Sequence, residues 1–465
     1  MKSLKNILIP LGLFTLFLLI FNIFSIKIIL IDTPQYIGVA KEFAGISLSK
    51  VRATSSFVYG FFLGQFLKII PSLLIIKFFN MSFLILDAIL IYLITKRKES
   101  LLLWIFSPIV WYMASYISPI LPASFLFLLA YYTLKKYEEK NKLIYFIISA
   151  FSLGLACSIW AASIYLTIFF LVAFFYDKKL LQFILYLIPL FIGFSIRFLI
   201  DYYYFRFPFL SLITGVGSNI LYFLGQQTNF KAVYLPQRTP FYILYLISIF
   251  IISPLLYKLY KLNIKENKKE LIFLILSAIL LIYPNYFQVR YLLVISPLII
   301  ILISRLINKK ELIISIIISL FVIGIAVYPF FIDKEDKLME QDLNNIAKEY
   351  PNKSFISGTS NYFVDSFVFS TLYWGKDIKE FITFDEYDMS KTNKSIFSEY
   401  ELEAKPKINI LKKMKLILLY ERTDNRNYND IHYLIAYKDD KYPSPPKEFK
   451  LVKEYNVLKL YKKNK

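Results

Sequence analysis

Cysteine and histidine are nearly missing from this chain of 465 residues, in which Cys157 and His432 are the single members of their types. A lone cysteine excludes an intramolecular disulfide, and one cysteine with one histidine excludes the Cys/His sites that hold zinc. Glycine is scarce as well, at 13 residues, and none of the glycines forms a phosphate-binding loop. The sequence therefore requires no cofactor, and a divalent metal would have to be held by oxygen ligands.

Apolar residues dominate the composition. They make up 57% of the chain, with 45 Phe and 37 Tyr, and the mean hydropathy is +0.55. Runs of about 20 apolar residues, each long enough to cross a bilayer, recur from Ile7 to Phe331. This pattern predicts an α-helical polytopic membrane protein with about eleven transmembrane helices. The predicted spans are 7–26, 76–95, 100–117, 119–135, 143–160, 161–176, 180–200, 240–262, 271–284, 289–307 and 311–331.

The net charge of +21 comes largely from lysines in short loops between these spans. By the positive-inside rule such loops face the cytoplasm. This predicts a multi-pass protein of the cell membrane with a cytoplasmic N-terminus and an external C-terminal region. No nucleic-acid motif accompanies the basic residues, so membrane lipids rather than nucleic acid are the expected partners. The loops placed on the cytoplasmic side contain Lys2/Lys5, Lys96-Arg97-Lys98, Lys135 to Lys142, Lys178-Lys179, Lys258 to Lys269 and Lys309-Lys310.

The domain organisation follows from the same loop pattern. We predict a transmembrane domain over 1–332, with a first external loop at 32–75 and a long external loop at 201–239. The apolar stretch 55–74 is placed as an external helix at the membrane interface, together with residues 34–53, because counting 55–74 as a span would invert the lysine loops. Residues 333–465 are more polar and predict a small external α/β domain. Its expected elements are a helix at 340–350 and strands at 415–420, 431–437 and 457–461.

Asp32 is the carboxylate that directly follows the first long apolar region, and Pro34 lies two residues further on. An acid with restricted hydration at the membrane rim can act as a general base on a hydroxyl or amine. The alternative is that Asp32 caps the helix that begins near Pro34. Both interpretations remain open on the local sequence.

Short motifs recur along the membrane region. They are Asp32-Thr33-Pro34-Gln35-Tyr36, the segment from Ser107-Pro108 to Ala130-Tyr131-Tyr132, Ser152-Leu153-Gly154-Leu155-Ala156, and Gln288-Val289-Arg290-Tyr291-Leu292 followed by Pro297. Together they resemble the GT-C glycosyltransferases, in particular the protein O-mannosyltransferase and aminoarabinose transferase group. The resemblance implies an enzyme that moves a sugar from a polyprenyl-phosphate donor to a lipid, glycan or protein acceptor on the outer face of the membrane.

The resemblance also implies roles for particular residues. Asp32 would activate the acceptor nucleophile, Tyr36 would shape the acceptor pocket, and Arg290 would hold the donor phosphate with its planar guanidinium. The alternative for Arg290 is an interfacial arginine that reaches toward water. Arg197 and Asp201 are candidates for donor binding, although their spacing of one helical turn equally suits an ion pair.

The chain departs from the family pattern at two places. Thr33 follows Asp32 where many relatives have a second acid, and Leu121 precedes Pro122 where many carry an acidic residue. Asp201 could supply the missing carboxylate. A GT-C homologue without activity is therefore one alternative to the enzyme. A transporter or lipid flippase is the other, suggested by Asp87 in the middle of a predicted span.

Overall fold

A computed structural model describes residues 2–25, 33–46, 57–114, 116–205, 208–212, 251–282, 289–332, 334–357, 364–383, 387, 431–438 and 445–464. Over these residues the chain is mainly helical, and its strands form one five-stranded sheet. The chain divides into two compact units. The first unit contains Met1–Phe24, Lys77–Phe209 and Phe230–Pro329, and the second contains Ser25–Ile76, Leu210–Asn229 and Phe330–Lys465. The predicted domain boundary at residue 332 stays a prediction.

The helices follow the apolar runs of the sequence closely. A short helical turn, Leu210–Leu212, and two 3-10 helices, Leu256–Lys261 and Val289–Val294, complete the helical segments that are described. The α-helices are α1 (Lys2–Phe24), α2 (Thr33–Ala44), α3 (Phe57–Ile69), α4 (Leu73–Thr95), α5 (Lys98–Ile105), α6 (Pro108–Ala114), α7 (Ile120–Lys140), α8 (Leu143–Ile159), α9 (Ser163–Phe175), α10 (Leu180–Phe205), α11 (Lys268–Ile282), α12 (Ser296–Ser304), α13 (Lys309–Ile332), α14 (Glu335–Glu349) and α15 (Val364–Leu372).

Three helices in the described part of the chain are long and apolar enough to cross a membrane by length and composition. They cover Ile7–Phe24, Leu73–Thr95 and Leu180–Tyr203. Shorter apolar helices occur at Phe57–Ile69, Leu143–Ile159 and Ser163–Phe175. The structure therefore supports a helical membrane protein, whereas the count of eleven spans stays a prediction.

Three of the predicted spans are not continuous helices over their described residues, and one of them, 240–262, ends in the 3-10 helix Leu256–Lys261. The span at 100–117 is broken into α5 and α6, and the break falls immediately before Pro108. Proline disfavours a helical conformation in the residue that precedes it and suits the first turn of a new helix. The hydroxyl of Ser107 at this break donates to the carbonyl of Ile252 at 2.7 Å. The span at 289–307 likewise consists of a 3-10 helix followed by α12, with Pro297 in the first turn of α12.

Glycine allows α8 and α10 to pack backbone against backbone in the first unit. A Cβ atom on Gly154 would lie 1.9 Å from the carbonyl oxygen of Leu190. A Cβ atom on Gly193 would lie 2.5 Å from the carbonyl oxygen of Phe151. Small residues at such positions let helices approach closely in a membrane protein. This contact fixes the helix pair that carries Arg197 and Asp201.

Basic loops that were predicted to share one side of the membrane do meet in the first unit. The ammonium groups of Lys135, Lys178 and Lys269 lie 3.8, 3.2 and 3.7 Å from the carboxylate of Glu138. They come from α7, the loop after α9 and the start of α11, so these ends of the helices lie together. The grouping agrees with the lysine pattern, while the side of the membrane stays a prediction.

In the second unit α2 and α3 form a tightly packed helix pair. A Cβ atom on Gly60 would lie 2.3 Å from Cγ1 of Val39, and one on Gly64 would lie 2.7 Å from Cβ of Phe43. These glycines are four residues apart on α3 and therefore lie on one face of that helix. The stretch 55–74 contains α3, bounded by Phe57 and Ile69, while its location at the membrane interface stays a prediction.

The second unit contains a small five-stranded sheet in the C-terminal region. Its strands are β1 (Lys353–Ser357), β2 (Ile378–Thr383), β3 (Tyr433–Tyr437), β4 (Phe449–Glu454) and β5 (Leu458–Lys463). The order is β2-β1-β3-β5-β4, with β1 parallel to β2 and β3, and β5 antiparallel to β3 and β4. The predicted helix at 340–350 and strands at 431–437 and 457–461 correspond to α14, β3 and β5. The strand predicted at 415–420 lies outside the described residues.

Asp342 is a buried carboxylate on α14 that fastens this helix to the turn between β4 and β5. Its Oδ1 accepts from the backbone N–H and the side-chain amide of Asn456 at 3.1 and 2.8 Å. Its Oδ2 accepts from the N–H groups of Val457 and Leu458 at 2.8 and 3.1 Å. The carboxylate thus holds the donors of this turn, of which the N–H of Leu458 is buried and would be costly to leave without a partner.

We expect Asp342→Ala to destabilise the C-terminal region by about 3 kcal/mol, because it removes one partner of a buried charged network. Urea unfolding followed by the fluorescence of the full chain in detergent measures the change. Asn345→Ala is the matched control, since Asn345 is exposed on the same helix. Equal stability of the two variants would contradict the assignment.

Candidate functional site

The first candidate group lies at the start of α2 in the second unit. Asp32 is outside the described residues, and α2 begins at the next residue, Thr33. Tyr36 is buried, and its ring packs edge-on against Tyr59 of α3 with centroids 5.4 Å apart. The helix expected after Asp32 is therefore present, and Tyr36 has a packing role there. The roles of Asp32 as a base and of Tyr36 in an acceptor pocket stay predictions.

Arg290 lies in the first unit, in the 3-10 helix that precedes α12. Its side chain is buried, and Cζ of its guanidinium lies 5.5 Å from the ring centre of Tyr291. Tyr291 in turn packs against Trp160 with ring centroids 5.6 Å apart. A buried guanidinium beside aromatic rings is in a setting of low polarity, where its interaction with an anion is strengthened. The phosphate contact and the interfacial arginine both stay predictions for Arg290.

Arg197 and Asp201 lie on α10 in the same unit, and both are fully buried. Nη1 of Arg197 donates to the carbonyl of Cys157 at 3.2 Å, and the Asp201 carboxylate interacts electrostatically with the guanidinium. Cys157 and Trp160 are both at the C-terminal end of α8. The contacts therefore bring Arg197, Asp201 and Arg290 to the same end of α8. Their part in donor binding stays a prediction.

Lys77 is a buried cation that was not singled out as a site residue from the sequence. It lies near the start of α4, and its ammonium is 3.4 Å from the carbonyl of Asn22. One turn further on, Asn80 is also buried, and its Oδ1 accepts from the N–H of Ser118 at 3.4 Å. The available signal was a lysine set between apolar neighbours, since residues 73–76 and 78–79 are all Leu, Ile or Phe.

Asp87, the acid that suggested a transport path, is bonded inside the first unit. The hydroxyl of Ser124 donates to its Oδ2 at 3.1 Å and lies 3.3 Å from the carbonyl of Leu293. This contact links α4 with α7, as expected for a polar residue that joins neighbouring helices in a membrane protein. Across the described segments, no three His, Cys, Asp or Glu residues are grouped so that they could hold a metal ion.

The described part of the chain combines apolar helices with a small C-terminal sheet. A similar solved structure is ArnT from Cupriavidus metallidurans bound to undecaprenyl phosphate, with a TM-score of 0.61 and 11% sequence identity. The likeness covers 98% of this chain and 98% of that chain. No protein-family model matches the sequence, and no match is found among curated proteins. The comparison with ArnT shows the fold.

Proposed function

We propose that the chain is an integral membrane glycosyltransferase that transfers a sugar from a polyprenyl-phosphate donor to an acceptor on the outer face of the membrane. The observation that carries the proposal is the likeness to ArnT bound to undecaprenyl phosphate over nearly the whole length of both chains. A fold hosts more than one function, so the proposal also needs support from the residues of this chain.

Buried cations provide that support. Arg290, Arg197 and Lys77 are all buried near the ends of apolar helices in the first unit. A charged side chain at such a place is expensive and usually has an anionic partner or a function. Arg290 is the strongest phosphate candidate, since a guanidinium can contact two phosphate oxygens at once. A lipid-linked sugar phosphate carries its charge at the membrane surface, where these residues are expected to lie.

The reaction that we propose is a single displacement at the anomeric carbon of the sugar. The acceptor hydroxyl or amine forms the new bond to this carbon, and Asp32 takes its proton as general base. The bond between the anomeric carbon and the phosphate oxygen breaks, and the polyprenyl phosphate leaves with the electron pair. Arg290 stabilises the negative charge that develops on the leaving phosphate. Tyr36 contributes to the acceptor pocket.

The test is sugar transfer in membranes that contain the full chain. Radiolabelled polyprenyl-phosphate hexoses and pentoses are supplied as separate donors, and label is followed into lipid, glycan and protein fractions. We expect one donor to give transfer well above membranes that lack the chain, with release of polyprenyl phosphate in equal amount. If no donor gives transfer while polyprenyl phosphate is still bound, the chain is an inactive homologue and the proposal of an enzyme is wrong.

A further inference from the structure

Among the described residues of the second unit, Lys41 is the most deeply buried cation outside the candidate site. It lies on α2, nine residues after Asp32, and its side chain is 0% exposed. A lysine on a predicted interface helix would ordinarily extend its ammonium into water. Here the ammonium is instead enclosed by the C-terminal region of the chain, so its burial needs a reason.

The ammonium of Lys41 caps the C-terminal end of α15. It donates to the carbonyl of Ser370, to that of Tyr373 at 2.7 Å and to that of Thr371 at 3.4 Å. The last carbonyls of a helix have no partner within the helix and form the negative end of its dipole. A cation at this position therefore satisfies several acceptors at once, and it does so between segments that are 329 residues apart in the chain.

Two further contacts hold the same group. The ammonium lies 3.9 Å from the ring centre of Trp374, a distance that allows a cation–π interaction. Glu340 of α14 attracts it electrostatically and opposes the effect of burial, which lowers the pKa of Lys41 to about 7. The contacts of one side chain thus join α2 to two helices of the C-terminal region, α14 and α15.

We propose that Lys41 is a positioning residue for the transfer reaction, through which the C-terminal region holds the helix that follows Asp32. The inference rests on the proposed function and assigns the C-terminal region a part in it. On its other face α2 is fixed by the close contact of Gly60 and Gly64 with Val39, Ala40 and Phe43. Lys41 adds the constraint that sets α2, and hence the Thr33 to Tyr36 segment at its start, relative to α15. A base displaced by about 1 Å can lose a large part of its effect.

The experiment compares Lys41→Met with Lys68→Met in the full chain. Lys41→Met keeps most of the length of the unbranched side chain and removes its charge and donors. Lys68 is exposed on α3 in the same unit, so it is the matched control. Hydrogen exchange measured without substrate is expected to rise at least about tenfold in α2 of Lys41→Met, with exchange in α8 unchanged. Exchange in α2 equal to that of the wild type would overturn the proposal.

Kinetics then separate positioning from simple loss of folded protein. We expect the transfer rate of Lys41→Met to fall about tenfold to a hundredfold while the amount of polyprenyl phosphate bound per chain is unchanged. Lys41→Arg, which keeps a charged donor, should recover part of the rate. Trp374→Leu should lower the rate less, and its effect should be non-additive with that of Lys41→Met.

The outcomes distinguish the two proposals. Wild-type transfer with an equally active Lys41→Met variant would reject the positioning role and leave the glycosyltransferase intact. A wild type that transfers no sugar from any donor would reject the glycosyltransferase, and the positioning role in transfer would be rejected with it.

Discussion

Asp32→Asn is expected to lower the rate of sugar transfer about a thousandfold, which is within the range for loss of a general base. The amide has nearly the same shape as the carboxylate but cannot accept the proton of the acceptor nucleophile. Because Asp32 is not assigned to the donor phosphate, binding of polyprenyl phosphate should be unchanged. Single-turnover transfer at saturating donor, combined with a binding measurement on the same membranes, checks both expectations.

Controls in the same chain make this result specific. Glu42→Gln changes an acid on α2 that has no proposed role in the chemistry, and it should keep a rate close to that of the wild type. Asp201→Asn tests the acid that could stand for the second carboxylate of the family pattern. If Asp32→Asn retains full activity while Asp201→Asn does not, the base is Asp201 and the assignment of Asp32 is wrong.

The pH dependence gives a second check on the same assignment. A general base must be deprotonated, so the wild-type rate should rise with pH through the pKa of the base and then level off. The residual rate of Asp32→Asn should lack this rise. A rise that persists in the variant would mean that the titrating group is another residue.

Most helices and their ends could be predicted from the sequence, because an apolar run locates the helix and the lysines beside the run locate its ends. The predicted spans 143–160 and 161–176 correspond to α8 and α9 within a few residues. Hydropathy does not predict the helix breaks at Pro108 and Pro297, because it does not register the local conformational limits of proline. Proline alone does not locate a break either, since α1 and α10 continue through Pro10 and Pro189. Strands β1, β2 and β4 were also not predicted, since each is short and lies next to polar residues.

The surroundings of the charged residues could not be predicted, because they depend on contacts between distant segments. Lys41 has the sequence context of an interfacial lysine, and its acceptors lie more than 300 residues further on. Arg197 and Asp201 have the spacing of an ion pair, yet the carbonyl of Cys157 on a different helix is also part of their environment. Sequence spacing predicts neighbours on one helix and gives no information about a second helix.

Gly154→Ala is expected to destabilise the chain by about 3 to 5 kcal/mol, although it adds a single methyl group. In an ordinary helix this substitution is stabilising by up to about 1 kcal/mol, because alanine has the higher helix propensity. At Gly154 the new Cβ would lie 1.9 Å from the carbonyl oxygen of Leu190, and the backbone of α10 would have to move. The contact of Ser158 Oγ with the carbonyls of Gly193 and Phe194, at 2.9 Å each, would be disturbed as well.

Gly324→Ala is the matched control, because Gly324 lies on an apolar helix and a Cβ there would meet nothing within 4 Å. We expect this variant to be as stable as the wild type or slightly more stable, so the same substitution should have opposite signs at the two positions. Thermal unfolding of purified protein in detergent measures both. Since Arg197 bonds to α8 across this helix pair, Gly154→Ala should also lower polyprenyl-phosphate binding if α8 and α10 carry part of the donor site. Equal unfolding temperatures for the two variants would show that α8 and α10 are not in close contact. The location of Arg197, which follows from that contact, would then be wrong as well.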